Sequence, residues 1–179
     1  MKLKNYFENR YYDKPIPKFN LNEEEFNKIF LRIEEINSKH STYKMYKGQT
    51  QLSLVVPMLT YLGYDVFNPL EVESEYVVPG IGEIDFGIKV KDKTQFVISI
   101  KKFKTNLSDK DSIEKNGINH LKTVMDITGV EVGVLTNGND YWLVTKHKNI
   151  RLIKIEDFRE EQMERLVYLS KAFIESSID

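Results

Sequence analysis

The feature that most constrains the fold is the pair of alternating segments in "GEIDFGIKVKDKTQFVISIKK", residues 82–102. Side chains alternate across a strand, so Ile84, Phe86 and Ile88 fall on one face and Glu83 and Asp85 on the other. Beyond the charged turn Lys91, Asp92, Lys93 the pattern repeats, with Ile98 and Ile100 pointing one way and Ser99 and Lys101 the other. Two such runs around a short turn predict an antiparallel hairpin. If its apolar faces are core, Glu83, Asp85, Ser99 and Lys101 converge on the opposite side.

The flanking sequence supplies more elements. Residues 1–20, rich in aromatics with prolines at 15 and 17, read as an irregular arm packed through Tyr6, Phe7, Tyr11 and Tyr12, or as disorder. Asn22 with Glu25 resembles a capping box, and Phe26, Ile29, Phe30, Ile33 and Ile36 follow at helical spacing. A second helix is predicted over 49–62, with Leu52, Val55, Val56 and Leu59 on one face and Gly63 as its stop. Strands are predicted at 74–79, 83–90 and 95–101, and a helix over 107–127 carries Leu107, Ile113, Ile118, Leu121, Met125 and Ile127. Strands "VEVGVLT" and "YWLVT" flank the turn Asn137, Gly138, Asn139, Asp140; another over 151–155 leads into a last helix with Phe158, Met163, Leu166, Val167 and Phe173. Strands separated by a helix imply an α/β fold, a mixed central sheet flanked by helices.

At 179 residues, 41% hydrophobic and 30% charged, the chain suits a single domain over 21–179. It has no cysteine, which excludes disulfides and thiolate metal sites, and no apolar leader or membrane span, so a cytoplasmic protein is expected. Lys and Arg number 26 against 27 Asp and Glu, a net charge of -1. Any DNA contact must therefore come from a local patch, and Lys101, Lys102 and Lys104, with Lys110 beyond, are the cluster near the hairpin. The histidines, His40, His120 and His147, are too scattered for a helical metal motif, "YKGQTQ" lacks phosphate-loop glycine spacing, and Trp142 reads as core.

A carboxylate and a lysine at the end of a hairpin suit Mg²⁺-dependent phosphodiester hydrolysis. Carboxylates fix the hard cation, the cation polarises phosphate and water, and the lysine steadies developing charge. Here Asp85 and Lys101 occupy such places, with Glu83 as a weaker ligand, but Ser99 stands where a second carboxylate is wanted. Polar residues on a solvated hairpin face would look the same.

Beyond the hairpin, "LVVPMLTYLGYDVFNPLEVESEY", "EIDF", "VISIKKFKTNL" and "VEVGVLTNGNDYWL" resemble successive blocks of the N-terminal nuclease domain of type I restriction enzyme R subunits and of its stand-alone relatives, in the PD-(D/E)xK superfamily. The likeness spans about residues 48–146 and implies a restriction-endonuclease-like fold. It places Asp85 at the metal-binding aspartate, Lys101 at the catalytic lysine and Ser99 at the acidic position of the (D/E)xK motif. A family glutamate falls near Gly48, and the glutamine and tyrosine of a later helix motif fall on His120 and Val124, so the departures gather in the site while the scaffold blocks survive.

The resemblance therefore implies a degenerate metal site in a DNA-binding or protein-interaction module, with Lys101, Lys102, Lys104 and His120 toward DNA. One alternative is an active Mg²⁺-dependent endonuclease with a displaced carboxylate. Glu114 is the candidate, although on a helix it lies roughly 120° around from His120; Glu71, Glu73 and Glu75 are further donors. Another alternative is an interaction protein acting on a restriction or defence complex.

Overall fold

The computed structural model describes residues 22–39, 45–158 and 160–178. The arm at 1–20, His40 and the side chain of Met163 lie outside the described part.

Asn22 opens α1 (Glu23–Ser38) by accepting a hydrogen bond from the Glu24 N–H at 3.0 Å, and three glutamates in the first turn suit the positive helix end. Glu25, the expected capping-box partner, turns instead to Lys28 at 2.7 Å. Next come α2 (Lys47–Thr50), a π-helical turn (Gln51–Val55) and α3 (Val56–Tyr61) in one uninterrupted run. Pro57 has no N–H to return to the Ser53 carbonyl four residues back, and Arg32 of α1 donates to that carbonyl instead, at 2.9 Å. Upstream the backbone widens, the Val56 N–H reaching the Gln51 carbonyl five residues back. Gly63, at φ 92°, ends the run: its N–H bonds Thr60 and the Tyr64 N–H bonds Leu59, closing the last carbonyls.

Six strands form one open mixed sheet in chain order: β1 (Val72–Val78), β2 (Gly82–Val90), β3 (Lys93–Ile100), β4 (Gly133–Thr136), β5 (Asp140–Val144) and β6 (Asn149–Lys154). Every neighbouring pair is antiparallel except β3 and β4, which are parallel. That junction requires a crossover, supplied by α4 (Lys110–Lys115) and α5 (Ile118–Thr128). The hairpin turn is the two residues Lys91 and Asp92, both with positive φ, as the right-handed twist of the strands favours. The helix expected over 107–127 is thus two, divided at Gly117, whose φ of 120° no helix tolerates. The last expected helix divides as well, into α6 (Glu160–Leu166), a 3-10 turn and α7 (Lys171–Ile178), where the buried Ser170 hydroxyl accepts from the Phe173 N–H.

Both sheet faces are covered. Phe86, Ile88, Phe96, Ile98 and Ile100 pack with α1, α3 and the C-terminal helices, whereas Val97, Leu135, Trp142 and Val144 pack beneath α4 and α5. Ile84 joins the second cluster with Val78, so the expected common face of Ile84, Phe86 and Ile88 is divided. The break lies beside Glu75, whose φ is 53° on the paired strand. Gly133 lets α5 settle onto β4: a Cβ there would stand 2.8 Å from Met125 Sδ and 2.9 Å from Leu121 Cγ. Among the described residues no helix is long and apolar enough to cross a membrane.

Candidate functional site

The β2–β3 ladder runs only as far as the Phe86–Ile98 pair, leaving the backbone at the end of β3 to find other partners. The Lys101 N–H bonds the Thr136 carbonyl on β4 at 2.7 Å, and the Ile100 N–H bonds the Asp85 carboxylate at 2.7 Å. Asp85 is thereby built into the strand end as an acceptor. Its other oxygen forms an ion pair with Lys47, the first residue of α2, and the carboxylate is largely buried while Lys47 stays half-exposed. Sequence reasoning pairs Asp85 with Lys101 and misses Lys47, whose only signal is a position next to Gly48, where the family glutamate falls.

Ser99 pairs in register with Leu135 and is 3% exposed, so its hydroxyl lies under the α4–α5 layer instead of in an open site. Lys101, two residues on, is half-buried with its ammonium against Gly117: a Cβ on that glycine would stand 2.6 Å from Nζ. Only glycine combines this close approach with φ 120°. Among the described residues no carboxylate forms an ion pair with Lys101. Burial chiefly pushes its pKa down from the ordinary value, with Lys47 adding to the effect and the Asp85 charge opposing it. Gly117 heads α5 without a side-chain cap, so the first-turn N–H groups and Lys101 present positive character to the same place.

The loop after β3 arranges its residues by polarity. Phe103 is buried and its N–H bonds the Thr50 hydroxyl at 3.1 Å, fixing the loop to α2, while Lys102 and Lys104 on either side are exposed. A second tie is the "TNGND" turn, in which Asn137 accepts from the N–H groups of Asn139 and Asp140 and donates to the Thr105 carbonyl at 2.8 Å. Gly138 at its tip has φ 86° and sits so close to Leu54 and Thr50 that a Cβ would collide. The block conspicuous in the sequence thus clamps the π-helical turn to the loop carrying the lysines. His120 is exposed in the first turn of α5, and Val124 is wholly buried core.

The remaining candidates are dispersed. Glu83 is exposed. Glu114 lines a separate cleft with Lys110, Lys148 and Arg165. Glu71 is bound to Lys171 at 2.8 Å and Glu73 to Lys89 at 2.5 Å, while Glu75 is exposed on β1. Among the described residues no three His, Asp or Glu side chains are grouped to hold a metal. The residues present do not fit a divalent cation: Asp85 has one oxygen on a backbone N–H and the other on an ammonium, and Ser99 offers a buried neutral hydroxyl to an ion that demands several oxygens.

Comparison with known proteins finds no matching family model, no matching curated protein and no matching solved structure.

Proposed function

We propose that the protein is a restriction-endonuclease-like module that holds the nucleic-acid backbone without cutting it. The observation that carries this reading is the state of Asp85: an internal cation, Lys47, occupies the carboxylate that a catalytic metal would need. Hydrolysis of a phosphodiester needs charge neutralisation and an activated water, and neither Lys101 alone nor a buried serine provides both. Binding needs less. Lys101, Lys102, Lys104 and the exposed His120 lie on the two segments that flank the hairpin end, and together they can meet phosphate oxygens. A phosphate beside Lys101 would favour the ammonium that burial disfavours.

Calorimetry with Mg²⁺ and Mn²⁺, run beside cleavage assays on linear, supercoiled and single-stranded DNA, tests the reading. The expected result is DNA retention at low salt, no metal uptake at millimolar concentration and no cleavage. Robust cleavage abolished by both Asp85→Ala and Lys101→Ala would overturn it in favour of an endonuclease, and loss of that cleavage in Glu114→Gln would identify a displaced ligand. Failure to retain DNA at low salt would leave the scaffold as a protein-interaction surface.

A further inference from the structure

Two lysines share one carboxylate at the end of the hairpin. Asp85 accepts the Ile100 N–H at 2.7 Å with one oxygen and meets the Lys47 ammonium with the other, and Lys101 is the residue after Ile100. Burial has the largest influence on the Lys101 pKa and lowers it; the Asp85 charge raises it and the Lys47 charge lowers it, so the three groups act on one another. Two ammoniums against one carboxylate leave a single positive charge. Among the described residues no other carboxylate pairs with either lysine, and both Asp85 oxygens are already engaged.

The two lysines come from segments far apart in the chain, and the backbone holds them in register. Thr50 lies one helical turn beyond Lys47, on the same face, and its hydroxyl accepts the Phe103 N–H at 3.1 Å; Phe103 lies two residues beyond Lys101. Gly138 packs against Thr50 and Leu54 while its neighbour Asn137 donates to the Thr105 carbonyl, a second tie between α2 and the loop after β3. Groups fixed on packed elements keep their spacing when a ligand arrives. Lys47 is half-exposed and its ammonium has three N–H donors, so donors remain for a ligand after Asp85 is met.

Resting on the reading that this module holds nucleic acid, we propose that Lys47 is itself a ligand of the strand: while held on Asp85 it donates to the same internal phosphodiester that Lys101 meets, with no divalent cation required. A phosphodiester carries one negative charge, which balances the single positive charge of the three groups. A terminal phosphomonoester carries about -1.5 to -2 at neutral pH and would leave negative charge in excess beside a buried carboxylate. Asp85 therefore has two tasks. It ties the strand end through Ile100, and it sets how much negative charge the two lysines can still accept. Lys47 supplies, on the chain, the positive charge between carboxylate and phosphate.

Fluorescence anisotropy of the full chain with a labelled duplex bearing 5′-hydroxyl ends, titrated from low to moderate salt, tests the assignment. Wild-type retention should persist in EDTA, and neither Mg²⁺ nor Mn²⁺ should strengthen it. Lys47→Met should weaken retention several-fold and reduce the slope of log affinity against log salt by roughly 0.9, whereas Lys47→Arg, which keeps the cation, should stay near wild type. Asp85→Asn should strengthen retention, because the amide oxygen still accepts the Ile100 N–H and the negative charge is gone. Lys47→Met made in the Asp85→Asn chain should again weaken it; no loss there would show that Lys47 only masks the carboxylate, and would overturn the proposal. Weaker retention in Asp85→Asn, retention that depends on a divalent cation, or a several-fold gain from a 5′-phosphate on the same duplex would overturn it too. Melting temperatures of each variant separate loss of binding from loss of fold, and the Lys47→Arg against Lys47→Met comparison decides the matter if Asp85→Asn does not fold. Absence of any wild-type retention sinks the module reading and this inference with it, whereas retention indifferent to Lys47 sinks the inference alone.

Discussion

Lys101 is held at a disadvantage in the fold, since its ammonium is half-buried against Gly117 while Lys47, and not Lys101, takes the ion pair with Asp85. The consequence for stability has a definite sign. Burial lowers the folded-state pKa from 10.5, so between the folded and unfolded values the unfolded chain binds more protons, and stability rises with pH across that window. Lys101→Met keeps the aliphatic stem and removes the charge. It should raise stability by about 0.5–1 kcal/mol after allowance for solvent screening, flatten the rise of stability with pH below 10.5, and weaken DNA retention. Urea titrations at neutral and alkaline pH measure the first two. A less stable Lys101→Met protein would mean that the attraction of Asp85 outweighs burial, and would remove the ground for treating Lys101 as a residue kept for binding.

At the scale of elements, two glycines near the site have opposite meanings. Gly117 joins α4 to α5 at φ 120°, with Lys101 where a side chain would go. Gly48 lies in α2 with ordinary backbone angles and nothing within 4 Å of a Cβ. Gly117→Ala should therefore cost about 1–3 kcal/mol through backbone strain and displace Lys101, weakening DNA retention as well. Gly48→Ala should stabilise by about 0.5–1 kcal/mol through the lower entropy of the unfolded chain. Denaturant midpoints of the two variants decide the matter, and equal effects would mean that the junction at Gly117 has no special geometry. The π-helical turn is an element of the same kind, created where Pro57 removes a donor and Arg32 of another helix replaces it. Its bulge carries Leu54 against Gly138, so the turn after β4 depends on a proline some eighty positions earlier in the chain.

For the molecule as a whole, the net charge of -1 leaves no general field to attract a polyanion, and binding must arise from where the cations sit. The loop after β3 puts Lys102 and Lys104 outward because Phe103 is drawn inward onto Thr50. Replacing both lysines with glutamate should weaken duplex DNA retention and reduce the slope of log affinity against log salt by roughly 0.9 for each phosphate no longer neutralised. Retention titrated from low to moderate salt gives that slope directly. An unchanged slope would move the DNA surface away from the hairpin end.

The two apolar-rich runs over 83–101 around a short charged turn determined that this chain makes a hairpin, but not that both its faces are covered, Val97 and Ser99 being as buried as Ile98 and Ile100. Helical spacing from Phe26 to Ile33 determined α1 in the same way, and the strand and helix order predicted a mixed sheet covered by helices. The helical reading runs over two interruptions: at Gly117 the Asn116-Gly117 dipeptide and the five-residue step from Ile113 to Ile118 mark the break in the sequence itself, whereas the restart at Ser170 is fixed by its hydroxyl accepting from the Phe173 N–H. Local patterns could not disclose the partner of Asp85: Lys47 is brought to it by the packing of α2 beside the strand end, across 38 positions of sequence. Nor could they separate Glu114 from the hairpin, because the place of α4 is set by the parallel β3–β4 crossover and by Arg151 holding Ser108. Periodicity is a property of neighbours in the chain, whereas the pairing of charges is decided by which elements the folded sheet brings together.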